Sequence, residues 1–257
     1  MSHISFSALK NWNQCPYYYK ITYVDKIKGF VGNHYTAFGT ALHEVCEKNA
    51  EDNNLQGLED IFEQAFLREL KGLPEDVRKE IKLKDVQQMR EQGKRLAVIA
   101  IPALKSHFGN FEVISTEEDI YESIENFEDY NFKGFIDLVI KTDDGKVHII
   151  DWKTCSWGWN SQKKSDPMTT YQLTYYKHFY NQKHNISLDD IETHFALLKR
   201  TAKKDLVEIF RVTSGKRKMN NAMELLEKAL YNIQSGKFIK NKLACSKCEF
   251  KNTEHCP

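Results

Sequence analysis

No run of apolar residues in this chain approaches the roughly 18 that a membrane-spanning helix needs, so a helical membrane span is excluded. Net charge is also nearly absent: 37 Lys and Arg stand against 36 Asp and Glu, leaving +1. An overall basic balance therefore gives no argument for a nucleic-acid partner, and any basic surface must be local. There is no internal repeat and no low-complexity tract. Met1-Ser2-His3 does not read as the start of a secretory signal, so the expected compartment is the cytoplasm, or a host cell's cytoplasm. There, six cysteines point to metal or cluster ligands before disulfides. What the chain does have is 41% hydrophobic and 12% aromatic residues, enough for a globular core. A length of 257 residues allows one large domain or a domain with an appended module.

The most informative stretch is 133–154, KGFIDLVIKTDDGKVHIIDWKT. Two apolar, β-branched runs, 135–140 and 147–150, flank an Asp-Gly turn signal at Asp144-Gly145, which predicts a β-hairpin. Asp137 lies between Ile136 and Leu138, and Asp151 directly follows Ile149-Ile150. A carboxylate on a buried strand is costly unless it is paired or binds a cation. Lys153 is two residues from Asp151 and so shares its side of an extended strand. Two acids beside one lysine form a candidate site for a divalent metal and an activated water. A solvent-facing edge hairpin with a chance ion pair is the plainer alternative, weakened because both acids adjoin dense apolar runs.

Around the hairpin, Ser5 caps a helix with Leu9 and Trp12 on one face, and Cys15-Pro16 follows. Residues 33–38 read as a loop, and Gly39-Thr40-Ala41-Leu42-His43-Glu44 as a helix start. Helical periodicity runs over 55–70, ended by Gly72 and Pro74, and again over 77–107, with a break expected near Gly93 or Pro102. Residues 55–107 thus read as a helical insertion ahead of the sheet. Strand signals begin at 111–114, leading to Glu117 and Glu118, which read more simply as a solvated strand end than as further ligands. After a polar loop at 155–170 come an aromatic-rich helix over 168–180, paired strands over 192–198 and 206–212, and an amphipathic helix over 219–234. The tail, 238–257, carries Cys245, Cys248 and Cys256.

Cys245 and Cys248 have ligand-type spacing, and with Cys256 and Cys15 they make four soft donors, enough for tetrahedral zinc or a [4Fe–4S] cluster. Spacing alone does not separate the two. His255 is an alternative fourth ligand whose use would favour zinc. Cys46 and Cys155 have no partner spacing and read as core or loop thiols. Local basic groups suit a phosphate backbone: Lys199, Arg200, Lys203 and Lys204 in one turn, Lys216, Arg217 and Lys218 in another, and Lys163 with Lys164. Trp157 and Trp159 either stack on unpaired bases or pack their loop down, two readings of about equal weight.

Gly134-Phe135-Ile136-Asp137, a turn, then Ile149-Ile150-Asp151-Trp152-Lys153-Thr154 resembles the core motif of the PD-(D/E)XK nuclease superfamily. Three further pieces are similar to the branch holding RecB-type nuclease domains and CRISPR-associated iron–sulphur exonucleases. They are Gly39-Thr40-Ala41-Leu42-His43, then Gln172-Leu173-Thr174-Tyr175-Tyr176, then the split cysteine set. Each piece alone is unspecific; their order across almost the whole chain is not. The resemblance implies one α/β nuclease domain over 1–257, with a mixed central β-sheet flanked by helices in a restriction-endonuclease-like core. It implies Mg²⁺ or Mn²⁺ held by His43, Asp137, Asp151 and the carbonyl of Trp152. Lys153 would assist the water, and Gln172 and Tyr176 would support the site from the next helix. Asp151 stands where many relatives have glutamate. Cys15, Cys245, Cys248 and Cys256 would hold a [4Fe–4S] cluster joining the two terminal regions. The expected activity is metal-dependent, sequence-nonspecific hydrolysis of DNA, as an exonuclease on single strands or ends. Repair, recombination, replication or CRISPR-type processing would be the setting, beside a helicase, recombination or CRISPR-type protein. Two rivals remain at this point: an inactive nuclease-fold DNA-binding adaptor, and a protein-interaction module built on structural zinc.

Overall fold

In a computed structural model, residues 2–52 and 54–257 are described, Lys247 by its backbone alone. A six-stranded mixed sheet forms the centre, with strands β1 (Ser2–Ser5), β2 (Phe111–Ile124), β3 (Phe127–Thr142), β4 (Val147–Cys155), β5 (Ile191–Lys199) and β6 (Val207–Arg211). The order is β1-β3-β4-β5-β6, with β2 on the other edge of β3. β3 is long enough to use one edge twice. Its first part pairs with β1 in parallel from Tyr130 to Lys133, and its last part pairs with β4 from Leu138 to Lys141. Between these, Gly134 to Asp137 have no strand on that side, and the sheet opens into a seam. β4 and β5 run parallel over nine residue pairs, the crossover between them carrying helices α7 (Ser161–Ser165) and α8 (Pro167–His184).

Each sheet face has its own core. One face packs Ile136, Val139, Ile149, Phe195 and Leu197 against α1 (Phe6–Gln14), α8 and α9 (Lys216–Gln234). The opposite face packs Leu138, Ile140, Ile150, Trp152 and Ala196 against α3 (His34–Glu51), α4 (Leu58–Gly72) and α6 (Leu83–Phe108). Both faces being covered accounts for the unbroken burial of β4 from Val147 to Trp152. Among the described residues no helix is long and apolar enough to cross a membrane.

Several local expectations are corrected. Residues 34–38 are helix, not loop: Asn33 accepts from the backbone of Tyr35 and Thr36, and Thr36 returns a bond to Asn33, a capping box that starts α3 early. The helical region 77–107 breaks at residues 81–82, between α5 (Glu75–Glu80) and α6, and not at Gly93 or Pro102. Gly93 is a contact residue, since a Cβ there would stand 1.9 Å from the Phe62 ring. β1 is an added strand, four residues long, that Ser5 ends by capping α1. After Cys15, α2 (Pro16–Tyr19) runs into a π-helical turn over Lys20–Val24.

Candidate active site

Strict alternation along β3 would put Ile136 and Leu138 on one face, yet they enter opposite cores. The strand therefore rotates at Asp137. Across from it on β2, between the pairs Thr116↔Leu138 and Glu118↔Ile136, Glu117 holds a left-handed backbone with φ of 46°. Such a conformation in a non-glycine residue is strained and tends to occur at functional positions. The rotation turns Asp137 into the seam, where its Oδ2 accepts the Trp152 backbone N–H at 2.7 Å. This side chain replaces the ladder bond that β3 no longer supplies to β4. The Trp152 carbonyl lies on the same edge of β4 as its N–H and so faces the seam too.

Asp151, one residue earlier on β4, points to the α8 side and is 1% exposed. Gln172 Nε2 on α8 donates to its Oδ1 at 2.9 Å and stands 3.2 Å from the Tyr176 hydroxyl. Gln172 and Tyr176 share a helix face at spacing i, i+4. Gly134 permits this approach, because a Cβ there would be 2.8 Å from the Tyr176 ring. Asp151 Oδ2 makes a close ion contact with Lys153 Nζ but no hydrogen bond of good geometry. Lys153 lies over the Phe195 ring, 5.8 Å from its centroid. From the other face, His43 on α3 brings Nδ1 to 3.5 Å from Asp137 Oδ1. A Cβ at Gly39, one turn earlier, would stand 3.3 Å from Thr154 Oγ1, so α3 runs close along β4.

The electrostatics follow from this packing. Burial pushes Asp151 up to about 6, against the pull of Lys153 and with the repulsion of Asp137. Burial would raise Asp137 as well, but His43, Lys153 and the Trp152 N–H outweigh it and hold the carboxyl low. Burial disfavours charge on His43 and Lys153, and the neighbouring aspartates overcome it, so both stay above their ordinary values. Glu47, four residues after His43, lies against Glu117. Its burial, that contact and the charges of Glu117 and Asp137 push it up to about 8.

His43, Asp137, Asp151, Trp152, Lys153, Gln172 and Tyr176 thus meet at one seam. Glu47 was missed in sequence, although its i, i+4 step from His43 is a usable signal. Of the two acids before the hairpin, Glu117 faces Asp137 and Glu118 does not: Glu118 is bound by Lys183 and His184, each at 2.8 Å. His43 Nδ1 and Asp137 Oδ1 keep a separation that two ligands of one divalent ion can share, and the buried Asp151 carboxylate lies in the same seam with its Oδ2 against Lys153.

Beside Thr154 a cleft of about 350 Å³ is lined by Tyr35, Phe38, Thr154, Cys155, Ser156 and Arg200. Arg200 stacks over the exposed Tyr35 ring at 5.2 Å and is held by Gln92 and Ser156. Reading 33–38 as a loop hid Tyr35. Trp157 is 73% exposed nearby, whereas Trp159 packs on Phe195 and Phe210. In the basic turn, Lys203 and Lys204 are exposed, and Lys199 is turned to Glu208. Lys164 also pairs with Glu208, Lys163 lies over Trp159, and Lys216, Arg217 and Lys218 line a different cavity.

At the joined termini, Cys15, Cys245, Cys248 and Cys256 line one cavity of about 100 Å³. Asn241 ties the two segments: its backbone N–H points at Cys15 Sγ at 3.4 Å and its side chain donates to the Gln14 carbonyl at 2.8 Å. Cys46 is buried in the α3 core, and Cys155 ends β4.

A family model of the PD-(D/E)XK nuclease superfamily matches residues 3–256. A crystal structure of a candidate exonuclease from Eubacterium rectale superposes with a TM-score of 0.58, covering 96% of this chain and 86% of its own at 10% identity, which shows a shared fold. The solved structure of SSO0001 aligns over 97% of this chain and 84% of its own at 16% identity, with a TM-score of 0.44 too low to argue from. No curated protein matches in sequence. A rotated β3 aspartate, an Asp-x-Lys on β4 and a family match over nearly the full length agree: the chain belongs to the PD-(D/E)XK nuclease superfamily.

Proposed function

We propose that this nuclease hydrolyses DNA phosphodiesters at the β3–β4 seam, acting as a sequence-nonspecific exonuclease on single strands or ends. The observation that carries the reading is the buried Asp151 carboxylate, with Oδ1 fixed by Gln172 and Oδ2 in close ion contact with Lys153, beside the His43–Asp137 pair. His43, Asp137, Asp151 and the Trp152 carbonyl would hold Mg²⁺ or Mn²⁺. The bound ion would supply Lewis acidity to the phosphate and lower the pKa of water.

The chain's own groups do the rest. Gln172 decides which oxygen of Asp151 faces the substrate. Asp137 keeps the two strands at a fixed separation through the Trp152 amide. Lys153, kept protonated by the two aspartates, lies where negative charge grows on the phosphorus oxygens as the water oxygen–phosphorus bond forms and the ester bond breaks. The attacking water gives up its proton to solvent, and the leaving oxygen takes one from solvent in return. Tyr35 with Arg200, and Trp157 beyond them, offer stacking faces for an unpaired strand running from the cleft, with Lys203 and Lys204 exposed for phosphates. The fold relative from Eubacterium rectale is itself described as a candidate exonuclease.

The four cysteines would carry a [4Fe–4S] cluster that fixes the terminal regions together, with the Asn241 amide as a hydrogen-bond donor to Cys15 sulphur. Strands labelled at the 5′ or 3′ end, duplexes and circles, each incubated with Mn²⁺, test the nuclease reading. Metal-dependent release of nucleotides from linear but not circular DNA is expected. Wild-type protein that binds DNA without cutting it under any of these conditions defeats it. Anaerobically purified protein should be brown and contain iron and labile sulphide; stoichiometric zinc in their place defeats the cluster.

A further inference from the structure

At the other end of β4, three potential ligands converge outside the nuclease site. His148 on β4 is the register partner of Glu192 on β5, and His194 follows Glu192 by two residues. All three side chains therefore stand on the sheet face covered by α6. His148 Nδ1 lies 3.2 Å from His194 Nε2, and Glu192 Oε2 lies 3.8 and 3.6 Å from those same nitrogens. A triangle with these sides has its centre roughly 2.1 Å from every corner, which is the Zn–N and Zn–O bond length. Direct hydrogen bonds would have drawn the carboxylate to roughly 2.8 Å; it stands off by the separation that two ligands of one ion keep.

We propose that His148, Glu192 and His194 form a second metal site, distinct from the nuclease centre, that takes Zn²⁺ or a similar borderline ion in a structural role. The tautomer of His148 supports this. Thr142 Oγ1 spends its proton on Asp144 at 2.5 Å, so at 2.9 Å from His148 Nε2 it accepts that ring's proton. Nδ1 then carries the lone pair that faces the triangle. Arg211 holds Glu192 Oε1 at 2.9 Å and leaves Oε2 for the ion. Such partners behind a ligand are what orients it in metal sites. Two imidazoles favour a borderline ion over Mg²⁺. The Phe108 ring covers both histidines at 4.8 and 5.0 Å, and the His107 ring is 6.2 Å from that of His194.

The test is zinc content and melting temperature after dialysis of the full chain against micromolar Zn²⁺. Wild type should hold one more zinc than His148→Gln or Glu192→Gln, and Zn²⁺ should raise its melting temperature several degrees more than theirs. Equal zinc content in wild type and both variants overturns the site. Glu192 is 20% exposed and less buried than His148, so Glu192→Gln keeps the test decisive if His148→Gln does not fold, as judged by circular dichroism without metal. The readout does not depend on cleavage, so it stands or falls apart from the nuclease reading.

Discussion

The two ends of β4 make an instructive pair. At the His148 end the strand is hydrogen-bonded on both sides, to β3 and to β5, and its histidine meets Thr142, Glu192 and His194 under a phenylalanine. At the Asp151 end β3 has rotated away, and a carboxylate takes the place of the missing ladder bond. A closed end can hold an ion but gives a substrate no way in. An open end exposes backbone groups, charged side chains and a cleft together. One strand thus carries two candidate metal positions, and loss of the neighbouring strand separates reaction from structure.

The comparison breaks first if the open end is not the reacting one. Asp151→Asn should lower Mn²⁺-dependent cleavage by about 10³-fold or more while DNA binding persists. Gel-based cleavage and a separate binding isotherm check this, and retained cleavage would move the chemistry elsewhere. Lys153→Ala should cost about 10²–10³-fold in turnover with little change in DNA affinity, read as a kcat effect in single-turnover assays. Acid should act on the open end next. Asp151 is pushed up to about 6 and His43 sits above its ordinary value, and both must lose protons to bind a cation. Metal binding is therefore favoured as pH rises through this window. Mn²⁺ affinity and cleavage should fall below pH 6 with a slope approaching about 100-fold per unit, since two protons compete with the cation, measured by Mn²⁺ titration from pH 5 to 8. Tyr176→Phe removes only the hydroxyl next to Gln172, and a loss of about 10-fold or less in rate is expected from the same assay.

Much of the open end was legible in the sequence. Asp137, Asp151 and Lys153 break an apolar pattern, and His43, Gln172 and Tyr176 fall at helical positions of a known motif. Glu47 was not legible: an acid on a helix usually means a solvated face, and only the fold brings Glu117 against it. Tyr35 was lost to a boundary error, because the Asn33 cap is a local signal that the following aromatic residue obscured. Gly93 reads as a helix breaker in sequence because the ring that requires a glycine there, Phe62, is 31 residues away. The closed end was invisible for the same reason: His148 and His194 are joined only by the β4–β5 register. The β3 rotation has no sequence signature beyond the acid itself.

The amide of Trp152 donates to Asp137 and to no strand. Its proton should therefore shift in an NMR spectrum whenever that carboxylate gains charge, loses charge or shares it with a cation. One backbone resonance would then serve as an intrinsic gauge of site occupancy, readable without substrate.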